Sequence, residues 1–149
     1  MKTELPGFPA LSGKVGKEEI TMEEVIRDAS QMTWEPLRRF PGTAEVKDLR
    51  EEPECGAKTM LLRLPAGGHV APHSHAGVVQ HYVLEGEYDS EGRSFTAGTY
   101  RLLPEHAAVA PISSERGVTL LVIYDPISEM LGCSDRTEVA SLQPSAVGQ

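Results

Sequence analysis

Four of the five histidines of this chain lie between Gly68 and Gly86. They fall in the runs Gly68-His69-Val70-Ala71-Pro72-His73-Ser74-His75 and Val79-Gln80-His81-Tyr82-Val83-Leu84-Glu85-Gly86. His73 and His75 are two positions apart, so on an extended strand both imidazoles leave the same face. Two converging imidazoles suit a borderline metal such as iron, zinc or nickel. The run that follows closes on Leu84-Glu85-Gly86, a turn signal, which sets the pair in a β framework and not on a helix.

The elements that must carry these side chains are short and β-like. From Trp34 onward, turn residues recur at intervals of about 8–12 positions, the pattern of a sandwich or barrel. Strands are expected at 33–39, 43–50, 57–64, 69–73, 78–84, 86–89, 93–96, 99–103, 107–110 and 117–124. Pro41-Gly42, Pro65-Ala66-Gly67-Gly68, Asp89-Ser90-Glu91-Gly92 and Ala97-Gly98 separate them. Thr119 to Tyr124 is continuously apolar apart from its first residue and reads as a central strand. Upstream, Thr21-Met22-Glu23-Glu24 has the form of a capping box, which predicts a short helix from Met22 to about Ser30. Its apolar face would be Met22, Val25, Ile26 and Ala29. The expected division is an arm with this helix over 1–33, a barrel over 34–125 and a C-terminal extension over 126–149. Ile127 to Leu131 is expected to be helical and Gln143 to Gln149 disordered.

Bulk composition narrows the function classes. The chain has 149 residues, 40% hydrophobic and 24% charged, a size and balance suited to one domain with one core. A net charge of −8 argues against nucleic acid or an anionic membrane as partner. No apolar run approaches the roughly 20 residues of a membrane helix, and the N-terminus lacks the apolar core of a signal peptide. A cytoplasmic location is therefore expected. Cys55 and Cys133 sit in no metal-type spacing; they read as two thiols, with a disulfide as the alternative.

The histidine runs resemble the cupin superfamily. Its first motif is a Gly, five residues, His-x-His, three or four residues, Glu, six residues and Gly; Gly67, His73, His75 and Gly86 match it. Its second motif is matched by Gly98 and Pro104. Within the superfamily, His75-Ala76-Gly77 is most similar to two groups. One is the ChrR-type (anti-sigma-factor) cupin domain. The other comprises small dioxygenases that cleave acetylacetone or 2,4'-dihydroxyacetophenone. The resemblance implies an all-β fold, a double-stranded β-helix or jelly-roll barrel, with the short N-terminal helix attached. It also implies a homodimer.

The departures from the motifs are equally specific. The motif's Glu falls on Val79, or on Gln80 with the longer spacing, and neither is a carboxylate. In the second motif the Gly position is His106 and the ligand His position is Val109. Only His73 and His75 carry over as metal ligands. Two further histidines could complete a site. His81 faces inward if Val79 does, because they are two apart on one strand. His106 lies three residues before the vacant position, in a turn at the barrel mouth. The resemblance implies Fe(II) as cofactor, with Zn, Ni or Mn as alternatives and a metal-free cavity as another.

Two functions follow. The first is a mononuclear Fe(II) dioxygenase acting on a carbonyl-containing small molecule, with His73, His75 and either His81 or His106 as ligands and Gln80 orienting the carbonyl. The second is a non-catalytic module that senses a small molecule or a metal through a degenerate site. The vacancy at Val109 favours the second; a compensating His81 favours the first.

Overall fold

A computed structural model describes residues 13–15, 18–20, 23–127 and 129–130. Apart from one 3-10 turn, all regular structure in these residues is β. A hairpin of β1 (Gly13–Val15) and β2 (Glu18–Ile20) comes first. The main sheet begins with β3 (Glu35–Pro36), β4 (Glu45–Glu52) and β5 (Ala57–Leu64). Next come β6 (Gly68–Val70), β7 (His73–Ser74) and the long β8 (Val79–Ser90). The remainder is β9 (Arg93–Thr96), β10 (Tyr100–Leu103), β11 (Ala108–Val109), β12 (Ile112–Ser114) and β13 (Val118–Tyr124).

The strands pair antiparallel in the order β3-β4-β5-β13-β8-β12-β6, while β9 and β10 also pair with β8 and β11 pairs with β7. The first half of β8 lies between β13 and β10, and its second half pairs with β9 and touches β12. One strand thus serves both walls of a curled sheet, the jelly-roll device for covering edges. The inner face holds the core: Tyr88, Met60, Leu64, Leu120, Val79 and Val83 are each at most 1% exposed. Alternation along β13 buries Val118, Leu120 and Val122 and turns the residues between them outward.

The sequence predicts a break between strands at 78–84 and 86–89, but β8 runs through. A bulge takes the place of the break. Glu85 pairs with Thr119 and Val83 with Leu120, so Leu84 is the extra residue. Gly86 makes this geometry accessible. Its φ is +82°, and a Cβ there would lie 2.1 Å from the Gly117 carbonyl oxygen. The bulge also shifts the alternation. Val79, His81 and Val83 face inward before it, and Tyr88 and Ser90 after it.

The helix expected over Met22–Ser30 does not form across its described part. Residues 23–28 have no regular structure, and a single 3-10 turn, Ala29–Gln31, is capped by Asp28 through its side chain to Ser30 N. Thr21 and Met22 lie outside the described residues. Val25 and Ile26 are 52% and 78% exposed, so these two residues of the expected apolar face bury little among the described residues. A helix this short is not stable without tertiary burial. Near the C-terminus, Met130 N bonds Ile127 O, closing one turn; Ser128 and Leu131 of the expected helix lie outside the described residues. So do the tail and Cys133.

Candidate functional site

The paired strands β7 and β11 hold one lip of the barrel. His73 lies directly opposite Val109, and Ser74 opposite Ala108. His75 follows β7 immediately, and its carbonyl accepts a bond from the His106 backbone N at 2.8 Å. The His73 and His75 rings stand 4.7 Å apart, centroid to centroid, at 82°. Phe40 stacks on His73 at 4.1 Å and meets His75 edge-on at 5.6 Å. Tyr124, at the end of β13, closes on His75 edge-on at 5.2 Å.

The orientation of this pair follows from its contacts. His73 Nδ1 lies 2.8 Å from the Ala71 carbonyl, which can only accept, so Nδ1 donates there and Nε2 is the nitrogen left to face a ligand. That is the orienting bond typical of metal-binding histidines. His75 is half-buried. Burial first, then the nearby His73 and Arg39, bring its pKa down to about 4, so it is neutral at pH 7.

His81 faces the same interior from β8. It shares with His73, His75, Phe40 and Tyr124 the lining of a mostly apolar inner cavity of about 30 Å³. Its Nδ1 lies 2.9 Å from the Tyr88 hydroxyl, and the Arg101 guanidinium donates to that hydroxyl at 3.3 Å. Burial, then Arg101, hold His81 at about 3, far below its ordinary value of 6.5. A second, open basin of about 370 Å³ lies on the other side of His75 and Tyr124. Arg39 and Lys58 line it with Asp125 and Ser74. Lys58 is paired with Asp48 at 3.5 Å, whereas no carboxylate among the described residues pairs with Arg39.

The structure brings together His73, His75 and His81 and leaves two other predicted site residues apart. His106 is exposed in a left-handed turn, with φ of +63°, and lines neither cavity. Gln80 is a correction to the expected role. It alternates with Val79 and His81 onto the outer face of β8, among exposed Tyr82, Leu84, Tyr100 and Leu102. There its amide donates to Asp125 at 2.8 Å and its carbonyl accepts from Tyr100 at 2.7 Å. Val109 is 2% exposed and, as the strand partner of His73, shares its face.

Sequence reasoning missed Phe40, Tyr88, Arg101 and Arg39. Phe40 and Arg39 precede Pro41-Gly42 and reach the site only through the fold. Tyr88 carried a misleading signal: seven residues from His81, an odd spacing, it belongs on the opposite face of a regular strand.

Among the described residues, no group of three His, Cys, Asp or Glu side chains stands in reach of one ion. The His73–His75 pair nonetheless fits two neighbouring positions on a metal. With nitrogens about 2.0–2.1 Å from an ion and an angle of about 90–100° at the ion, two imidazole centroids lie about 4.5–5 Å apart, against 4.7 Å here.

Comparison with known proteins bears on the same features. The family model described as the ChrR cupin-like domain matches residues 22–128. No curated protein matches the chain. Among solved structures, a candidate acetylacetone dioxygenase from Methylibium petroleiphilum is 22% identical with a TM-score of 0.64, covering 70% of this chain and 78% of that one. An acetylacetone dioxygenase from Acinetobacter johnsonii is 20% identical with a TM-score of 0.62, covering 70% and 75%. A chain of the Rhodobacter sphaeroides complex of SigE with the anti-sigma factor ChrR is 25% identical with a TM-score of 0.54. That alignment covers 66% of this chain and about half, 52%, of the other.

Proposed function

The chain belongs to the ChrR cupin-like domain family, and on that premise we propose that His73 and His75 hold a mononuclear metal, Fe(II) in the working protein, at which a small carbonyl compound is cleaved with dioxygen. The observation that carries this reading is the mutually perpendicular imidazole pair set between an open basin and a buried apolar cavity. When bound, the metal supplies Lewis acidity toward a carbonyl oxygen and redox capacity toward dioxygen.

The chain's own residues do the rest. Ala71 O fixes His73 with Nε2 available, and Phe40 holds the ring by stacking. Tyr124 and Phe40 screen the pair from bulk water, which strengthens any polar contact made inside. The basin admits a small molecule, and Arg39 in its lining offers a positive charge to an enolate or carboxylate oxygen. A β-diketone, whose enolate is a two-oxygen anion, matches this combination.

A second reading has its own observation. Val109, a valine on the face of His73, leaves the pair without a third ligand among the described residues, and a sensing module that does not turn over needs no more.

The test combines metal analysis with oxygen uptake. Protein produced with excess iron should carry about one metal per chain, and His73→Ala and His75→Ala should each abolish this. Added β-diketone should drive oxygen consumption in the iron-loaded protein only. Metal without uptake would support the sensor; no metal under any condition would sink both metal readings.

A further inference from the structure

Behind His81, which lines the inner cavity, runs a buried polar chain that the two-histidine reading does not use. Arg101, Tyr88 and His81 lie in sequence, with the guanidinium at 3.3 Å from the phenol oxygen and the phenol oxygen at 2.9 Å from His81 Nδ1. Arg101 is held in place: its side chain is 11% exposed, lies over the Phe95 ring at 4.6 Å and comes within 3.9 Å of Glu91. Tyr88 is fully buried.

The direction of this chain is set by donor and acceptor chemistry. A guanidinium only donates, so the Tyr88 oxygen accepts from Arg101 and keeps its own proton to give. His81 Nδ1 is the acceptor within reach. With the opposite tautomer, Nδ1–H and the guanidinium would both donate to one phenol oxygen. Among the described residues the buried Tyr88 proton would then have no acceptor. The satisfied arrangement runs Arg101 to Tyr88 to His81 and leaves the imidazole proton on Nε2. No group among the described residues accepts from that nitrogen, and the residue lines the inner cavity beside His73 and His75.

We propose that His81 is a hydrogen-bond donor into the inner cavity and not a metal ligand, with Tyr88 and Arg101 as positioning residues that fix its tautomer. A metal ligand needs a lone pair on the coordinating nitrogen, and the chain directs a proton there instead. The 30 Å³ cavity has room for one water-sized group, and His81 Nε2–H would bond its oxygen. His73 and His75 then do the holding, while His81 stabilises negative charge on an oxygen placed beside them. The tautomer itself stands whether or not a metal binds; only the identity of the oxygen rests on the proposed function.

Long-range nitrogen–proton correlation NMR on the metal-free, nitrogen-15-labelled chain at pH 7 reads the tautomer directly, with His81→Gln supplying the assignment. The expected spectrum shows a protonated Nε2 and an unprotonated Nδ1 for His81. In Tyr88→Phe, which deletes the proton donor, the Nδ1–H form should appear. A parent spectrum with Nδ1–H would overturn the proposal even if the variant fails to fold. Cobalt(II) titration provides the second arm. His81→Gln should hold cobalt within about threefold of the parent, whereas His73→Ala should lose at least tenfold. Equal losses in the two variants would make His81 a ligand and refute the proposal. Absence of cobalt binding in every protein would count against the proposed function and leave the tautomer to be decided by the NMR arm.

Discussion

Acidification should destabilise the metal-free fold well before its carboxylates titrate. His81 is held at about 3 and His75 at about 4 in the folded chain, against 6.5 for an ordinary imidazole. Both folded values are depressed, so stability is greatest above pH 6.5 and falls as the pH drops, because the unfolded chain takes up protons that the folded chain refuses. At pH 5 an unfolded imidazole is nearly all protonated, whereas folded His81 stays neutral. That difference amounts to about 2 kcal/mol. His75 is half-buried and partly screened by solvent, which brings its share to about 1 kcal/mol. With a urea dependence of about 2 kcal/mol per molar, the unfolding midpoint should fall by about 1.5 M between pH 8 and pH 5. Asp28, whose carboxyl is held below 3.8 by its bonds to Ser30, contributes nothing to this window. The assay is urea unfolding followed by far-UV circular dichroism at four pH values in the presence of a chelator. His81→Gln should retain only about a third of the pH dependence, whatever its absolute stability. A parent midpoint that moves by less than about 0.3 M would refute the reasoning, since the imidazoles would then protonate as easily folded as unfolded.

Three further outcomes are expected. Val109→His, on the face of His73, should raise zinc or iron affinity at least tenfold, about 1.4 kcal/mol, in an isothermal titration. Unchanged affinity would mean that position 109 cannot reach the ion. Gly86→Ala should cost more than about 2 kcal/mol by chemical denaturation, because it forces a side chain into a left-handed backbone and against the Gly117 carbonyl. A neutral effect would remove the bulge as a required feature. Gln80→Ala, on the outer face, should leave metal affinity within about twofold of the parent, and a larger loss would restore Gln80 to the site.

The alternation of apolar residues and the spacing of turns determine a β barrel, because a strand buried on one face must repeat every second residue. They likewise determine that His73 and His75 emerge together and that His81 follows Val79 inward. The sequence also shows what is missing, since no carboxylate stands at 79 or 80 and no histidine at 109. Local pattern misled where tertiary contacts decide. The capping box at Thr21 reads as a helix start, yet Val25 and Ile26 are exposed among the described residues and residues 23–28 are irregular. Phe40 and Arg39 are remote in sequence and reach His73 and His75 only when the sheet curls. Tyr88 is the sharpest case. Period two sends it away from His81, and only the bulge at Leu84, permitted by Gly86, turns it inward to bond His81. A bulge adds one residue and so reverses every face beyond it; its position is set by how β8 fits β13, a pairing that no local stretch of sequence contains.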